Sequence, residues 1–251
     1  MDLYKIALEA ADIGFEIASN YMNDAVIISN NEKDIKTFAD LAVNEAILKV
    51  LDKSDIPVFS EEIATSQYHL PTLCWIIDPL DGTYNFSRGF PYTSISICLW
   101  KNEEPIIGVV KNIFNGVTYS TEAQGGVFSN GGQLKVSEVN TMNKATLATG
   151  FPSGTNYSTD HLLKVVSYIQ KFKKVRAIGS ASLMISNVAS GVFDAYYEKD
   201  IYIWDVVAGL ALVKEAGGKY FLRREPDSFK CEVLATNALI FDEALKELIG
   251  K

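Results

Sequence analysis

Two short runs hold the residues best suited to chemistry: Trp75-Ile-Ile-Asp78-Pro-Leu-Asp81-Gly-Thr83 and Pro57-Val-Phe-Ser-Glu61-Glu62. In the first, an apolar stretch ends in two carboxylates, a proline, a glycine and a hydroxyl. Ile76 and Ile77 read as the end of an interior strand. Pro79 removes a backbone donor and fixes φ, so the strand is expected to stop there. Gly82 opens backbone conformations closed to other residues. Such a turn folds Asp78 and Asp81 towards one point. Two like charges held close repel unless a cation lies between them, and Mg²⁺ suits because hard cations take carboxylate and carbonyl oxygens. The amides near Gly82-Thr83 could face a phosphate. A tight turn whose aspartates merely cap a helix accounts for one acid and poorly for two.

Three further segments could complete such a site. Glu61-Glu62 closes a short strand; alone, the pair would read as a solvated acidic loop. Ile201-Tyr-Ile-Trp204-Asp205-Val-Val-Ala-Gly209 opens a helix, because apolar residues recur at Val206, Val207, Leu210, Ala211 and Val213. Asp205 at its start is either an N-cap, which stabilises by about 1 kcal/mol, or a ligand, and the two roles can coexist. Asp34-Ile-Lys-Thr37-Phe-Ala-Asp40 reads as a capping-box variant opening a helix that runs to about Leu51. Asp40 is a cap or a site residue.

The four segments, in this order and spacing, resemble the inositol monophosphatase family of Mg²⁺-dependent, Li⁺-sensitive phosphomonoesterases. The resemblance implies an α/β/α/β/α layered sandwich of the inositol monophosphatase and fructose-1,6-bisphosphatase type. It implies that Glu61, Asp78 and the Leu80 carbonyl hold one Mg²⁺. Asp78, Asp81 and Asp205 would hold a second, and Glu61 helps bind a third, giving two or three ions. Thr83 with Glu61 would orient water at phosphorus, and Asp40 would hold the Thr83 hydroxyl. Substrate contacts would come from Leu80, Asp81, Gly82, Thr83 and Asp205, from Gly179-Ser180-Ala181, and from Glu198 in Ala-Tyr-Tyr-Glu. Gly179-Ser180-Ala181 also reads as a plain N-cap by Ser180, and Glu198 as an exposed loop acid. Ser60 stands where the family usually has glycine. Tyr202 stands where the animal enzymes commonly have histidine, which puts inositol itself in doubt.

The implied reaction is hydrolysis of a small phosphate monoester, inositol 1-phosphate or a related polyol or sugar phosphate. Fructose 1,6-bisphosphate, histidinol phosphate and 3′-phosphoadenosine 5′-phosphate are the alternatives within the family. A non-enzymatic metal- or phosphoester-binding protein on the same fold is the alternative outside it. A haloacid-dehalogenase-type phosphatase separates its two aspartates by one residue, whereas Pro79 and Leu80 both intervene here. No GxxxxGK[ST] run signals a P-loop. Relatives commonly form homodimers, so a homodimer is expected.

The elements that must position these groups follow from patterning. The chain has 251 residues, 48% of them hydrophobic, enough for one large domain. Leu3, Ile6, Ala10, Ile13, Ile17 and Tyr21 trace one face of a first helix. Phe38, Leu41, Ala42 and Leu48 trace one face of a second. Tyr92 to Leu99 alternates like a half-buried strand, and short strands near 106–110, 117–120 and 126–128 follow, with Asn130-Gly131 as a hairpin signal. Residues 1–140 therefore read as an α+β half. Residues 141–251 read as an α/β half: a strand near Leu147, a helix from Thr159 to Phe172, a strand from Val175 to Ile178, a helix from Ala181 to Ser190, a strand from Phe193 to Tyr197, and the Trp204 helix. The carboxylates would lie at the seam of a single domain.

Net charge is -8, which disfavours nucleic-acid binding. Lys171, Lys173, Lys174 and Arg176 form the one basic cluster, read as the solvated end of a helix. Cys74, Cys98 and Cys231 show no CxxC spacing and read as reduced, buried thiols. His69 and His161 share no zinc-ligand spacing. Asp2, Lys5, Glu9 and Asp12 interrupt any signal-peptide core, and no run of ~20 apolar residues predicts a membrane span. Cytoplasm is the expected compartment.

Overall fold

The computed structural model describes residues 2–22, 26–31, 34–63, 69–153 and 155–250. Along the first half run α1 (Leu3–Ser19), β1 (Ile27–Asn31), β2 (Asp34–Thr37), α2 (Phe38–Leu51), β3 (Val58–Ser60), β4 (Leu73–Asp81), α3 (Thr83–Ser87), β5 (Ser94–Lys101), β6 (Glu104–Asn112), β7 (Thr118–Glu122), β8 (Val127–Ser129) and β9 (Gly132–Leu134). The second half holds β10 (Thr146–Ala148), α4 (Thr159–Ile169), β11 (Lys174–Arg176), α5 (Ala181–Ala189), β12 (Ala195–Tyr202), α6 (Ile203–Glu215), β13 (Lys219–Arg224), β14 (Lys230–Thr236) and α7 (Phe241–Ala244). Strands β3 to β9 form a seven-stranded sheet in sequence order, and the second sheet runs β11-β10-β12-β14-β13. β1 and β2 make a separate hairpin.

Five layers result. Helices α1 and α2 pack Ile6, Ala10, Val43 and Ile47 against Trp75, Ile77, Ile95 and Ile97 on one face of the larger sheet. Helices α5 and α6 lie between the sheets, with Leu183, Met184, Val206 and Leu210 in one cluster with Ile76, Cys98, Tyr196 and Val233. The outer face of the smaller sheet carries Leu147, Tyr197 and Leu234 against Phe172, Ala244 and Leu248. This is the α/β/α/β/α order. The helices approach closely where side chains vanish. A Cβ at Gly108 would stand 2.4 Å from the Ala208 carbonyl oxygen, and one at Gly209 2.7 Å from Ile185.

Several elements depart from the patterns that predicted them. Phe38 and Leu41 are 51% and 43% exposed, and α2 buries Ala39, Val43, Ile47 and Leu51 instead. Size misled there: the larger apolar residues lie on the outer stripe. β5 is buried on both faces, because helices cover both sides of its sheet. β4 does not stop at Pro79 but continues to Asp81 across an irregularity in its pairing, with Asp78 opposite Ser96 and Asp81 opposite Ser94. β12 runs on to Tyr202, so Glu198 lies inside a strand and not in an exposed loop. Lys174 and Arg176 belong to edge strand β11, where cations guard against edge pairing, and Lys171 pairs with Glu247. The β13–β14 and β1–β2 hairpins had no expected counterpart.

The Asn130-Gly131 hairpin is present, with positive φ at both residues. All three cysteines are free and buried. The side chain of His161 lies outside the described residues. Among the described residues no helix is long and apolar enough to cross a membrane.

Candidate active site

The site forms where β3 and β4 end and α6 begins. β3 runs parallel to β4, pairing Ser60 with Ile77, so Glu61 emerges beside Asp78. Ser60 is buried and its hydroxyl donates to Asn44 Oδ1 (2.7 Å), which absorbs the departure from glycine. Glu62 turns away and pairs with Lys36 Nζ at 3.0 Å. On α6, Asp205 accepts from the Tyr202 amide at 3.3 Å, so it lies in the first turn and not at the N-cap. Ser96 Oγ donates to the Trp204 carbonyl (3.1 Å), fastening the start of α6 to β5. Carboxylate oxygens of Glu61, Asp78 and Asp205 consequently lie within 4.8 Å of one another.

These acids have few donors. Asp78 accepts the Leu80 amide at 2.9 Å. Burial first, then Glu61, Asp81 and Asp205, pushes Asp78 well above the usual carboxylate range. Burial first, then Glu61, does the same to Asp205. Burial lifts Glu61 to about 7. Three crowded, underbonded carboxylates fit a hard divalent cation, which supplies the charge they lack.

Asp81 is different. Its Oδ2 accepts from Ser180 Oγ (2.7 Å), the Ser182 amide (2.7 Å) and Ser182 Oγ (2.5 Å), and its Oδ1 from the Ala181 amide (3.2 Å). It is thus the acceptor for the start of α5, whose free amides favour an anion. The donors of Ser180 and Ala181, expected to meet substrate, point at Asp81. Burial raises Asp81 while these donors hold it down.

Thr83 opens α3 just after Gly82, whose φ of 93° lies in the left-handed region. A Cβ there would stand 2.9 Å from the Gly179 carbonyl oxygen, so the exits of β4 and the strand before α5 pack backbone to backbone. Asn85 Nδ2 secures this seam with bonds to the Tyr92 and Ile178 carbonyls, both 2.8 Å. Thr83 Oγ1 lies 2.9 Å from Asp40 Oδ1 and 3.1 Å from the Leu80 carbonyl oxygen. Asp40 Oδ2 takes the Thr37 amide (2.7 Å) and hydroxyl (2.6 Å), the capping box expected at the start of α2. The cap and the hold on Thr83 coexist in one carboxylate.

A cleft of about 210 Å³ spans these groups and is lined by Glu61, Asp78, Thr83, Gly179, Glu198 and Asp205, among others. Leu80, Asp81, Gly82, Ser180 and Ala181 also border it; Asp40 lies behind Thr83. Glu198 is buried in its wall and pushed up to about 8, chiefly by burial. Tyr202 stacks on Trp204 at 4.8 Å beside it. The patterning missed Ser182 and Ser94, whose hydroxyls meet at 2.7 Å behind Asp81. Ser182 is next to the Gly179-Ser180-Ala181 segment, and its polarity on a buried helix face was the available signal.

The family model for the inositol monophosphatase family matches residues 1–251. The chain belongs to the inositol monophosphatase family. Relatives include the fructose-1,6-bisphosphatase/inositol-1-monophosphatase of Aquifex aeolicus, 33% identical over 88% of this chain and 84% of that one. Human inositol monophosphatase 1 is 32% identical over 85% of this chain and 79% of its own. Among solved structures, inositol monophosphatase from Anabaena superimposes with TM-score 0.83 at 30% identity, covering 99% of this chain and 95% of that one. The IMPase of Thermotoga maritima gives TM-score 0.84 at 28% identity, covering 100% and 98%. As a member of the inositol monophosphatase family, the chain is a metal-dependent phosphatase that hydrolyses small phosphate monoesters.

Proposed function

We propose that this phosphatase uses Mg²⁺ to hydrolyse a small polyol or sugar monophosphate, with inositol 1-phosphate or a close relative first in line. The single observation that carries this reading is the convergence of Glu61, Asp78 and Asp205 within 4.8 Å, with Glu198 lining the same cleft. Glu61, Asp78 and Asp205 would hold Mg²⁺, with Asp81 and the Leu80 carbonyl adjoining, and two or three ions fit the number of acids. Bound there, Mg²⁺ supplies positive charge that neutralises the phosphoester and acidifies water.

The chain's own groups do the positioning that phosphoryl transfer requires. The Thr83 hydroxyl, engaged by Asp40, keeps lone pairs free to accept a hydrogen bond from the attacking water. Glu61 faces the same point and fixes that water's second hydrogen. Glu198 accepts bonds from ring hydroxyls, and Gly179 borders the same cleft. Inhibition by Li⁺, a homodimeric assembly and a cytoplasmic location belong to the same reading. So does treatment of residues 1–140 and 141–251 as halves of one domain, since both contribute acids to the cleft. A release assay over inositol 1-phosphate, fructose 1,6-bisphosphate, histidinol phosphate and 3′-phosphoadenosine 5′-phosphate, with and without Mg²⁺, tests the proposal. The expected result is Mg²⁺-dependent phosphate release, fastest on inositol 1-phosphate or another polyol monophosphate. Faster release from the nucleotide would overturn the substrate choice.

A further inference from the structure

Two residues with no role assigned above, Gly150 and Tyr196, flank Glu198. It lies on β12, with Tyr196 two residues before it on the same face, and β12 pairs with β10 through Tyr196 and Ala148. Gly150 follows the end of β10. A Cβ built on Gly150 would stand 2.5 Å from Glu198 Oε1, 3.2 Å from Cδ and 3.4 Å from Oε2. The whole carboxylate therefore rests on the bare α-carbon. Gly150 lies outside the left-handed region, so its lack of a side chain is explained by this contact and not by backbone conformation.

Tyr196 supplies the second constraint. Its ring is fully buried between the sheets. Its hydroxyl meets no partner at bonding geometry, and the charge acting on it most strongly is Glu198. A buried, unpartnered hydroxyl is costly unless something completes it. A small swing of the Glu198 carboxylate would let Tyr196 donate to one oxygen and leave the other for a ligand hydroxyl.

We propose that Gly150 and Tyr196 are positioning residues that fix the Glu198 carboxylate and thereby set the preference for phosphate esters bearing hydroxyls. This rests on the reading of Glu198 as the acceptor of substrate hydroxyls. Gly150 admits the carboxylate to its slot from one side. Tyr196 restrains it from beneath, so that its free oxygen faces the cleft.

The test compares two substrates in Mg²⁺: inositol 1-phosphate, which offers ring hydroxyls, and p-nitrophenyl phosphate, which offers none. The readout is the ratio of their kcat/KM values. Tyr196→Phe and Gly150→Ala should each lower that ratio roughly tenfold, mainly through KM for inositol 1-phosphate, as expected for one hydrogen bond to a charged group. Glu198→Gln should lower it similarly. In the Glu198→Gln background, neither further substitution should move the ratio by more than about twofold, because all three act through one group. A ratio unmoved by both single variants, with Glu198→Gln effective, overturns the inference, as does additivity in the double variants. If Glu198→Gln itself leaves the ratio unmoved, or wild type hydrolyses neither ester, the substrate reading fails. A crystal structure of Gly150→Ala then decides the positioning claim independently of turnover: a displaced Glu198 carboxylate supports it, and one still lying over residue 150 overturns it.

Discussion

Asp78 and Asp81 stand three residues apart on one strand, yet they live in opposite surroundings. Asp78, with Glu61 and Asp205, faces other acids and receives one backbone donor. Asp81 takes four donors from the start of α5. The first region is charge without compensation; the second is charge already matched by amides and hydroxyls. A buried carboxylate with donors acts as a staple, whereas one without them is poised for a cation. The same residue type thus serves binding at one place and architecture at the other.

The largest expected effect comes from neutralising the uncompensated side. Asp78→Asn should cut phosphate release on the order of 10³-fold, by analogy with loss of one strong transition-state stabiliser. It should also raise the melting temperature in metal-free buffer, because it removes one of three crowded charges. Loss of stability instead would erase the distinction between the two regions.

Neutralising the matched side should act in the other direction. Asp81→Asn places an amide donor among donors and should cost about 2 kcal/mol, lowering the melting temperature by roughly 4–8 °C for a chain of this size. Differential scanning calorimetry of both variants, with metal chelated, gives the comparison directly. Turnover should fall as well, since Asp81 borders the acid cluster.

Stability against pH sharpens the contrast next. Glu61 and Glu198 sit at about 7 and about 8 in the folded chain, above the ordinary glutamate value of 4.5. The folded chain therefore binds more protons than the unfolded one between those values, and stability falls as pH rises. Without metal, the melting temperature should decline from about pH 4.5 to 8. Saturating Mg²⁺ should raise it and flatten much of that slope, since binding to the folded state alone is stabilising. A pH-independent melting curve without metal would show that the acids do not strain the fold. The smallest effect belongs to Ser182→Ala, which removes one of the Asp81 donors and should cost about 1 kcal/mol by the same calorimetry.

Much of the site was legible because its chemistry demands particular residue types. Acids beside Pro79 and Gly82, and an aspartate opening an apolar helix, are hard to account for by packing alone. The capping box at Thr37 and Asp40 was readable for the same local reason. What stayed hidden depends on three-dimensional neighbours. Nothing in the spacing of Asp81 says that α5, a hundred residues on, will supply its donors. Gly150 has no local signature, since its role lies in the carboxylate of Glu198. In the fold, the outward face of α2 was misjudged because Phe38 and Leu41 outweigh Ala39 and Val43 in any count of apolar bulk. β13 and β14 escaped because charged residues interrupt their alternation at Arg223, Arg224 and Glu232.

The irregular pairing of β4 is a change of parity. In an unbroken strand, positions three apart look to opposite sides, so one of Asp78 and Asp81 would have been driven into the α1–α2 layer. Three steps along β4 are matched by two along β5, and that single surplus residue turns both acids inward to the central helices. Shortening the Pro79-Leu80 link by one residue would therefore leave both carboxylates on the inner face, two positions apart on a regular strand, whereas pairing all three steps without the bulge would trade a carboxylate for its apolar neighbour across the sheet.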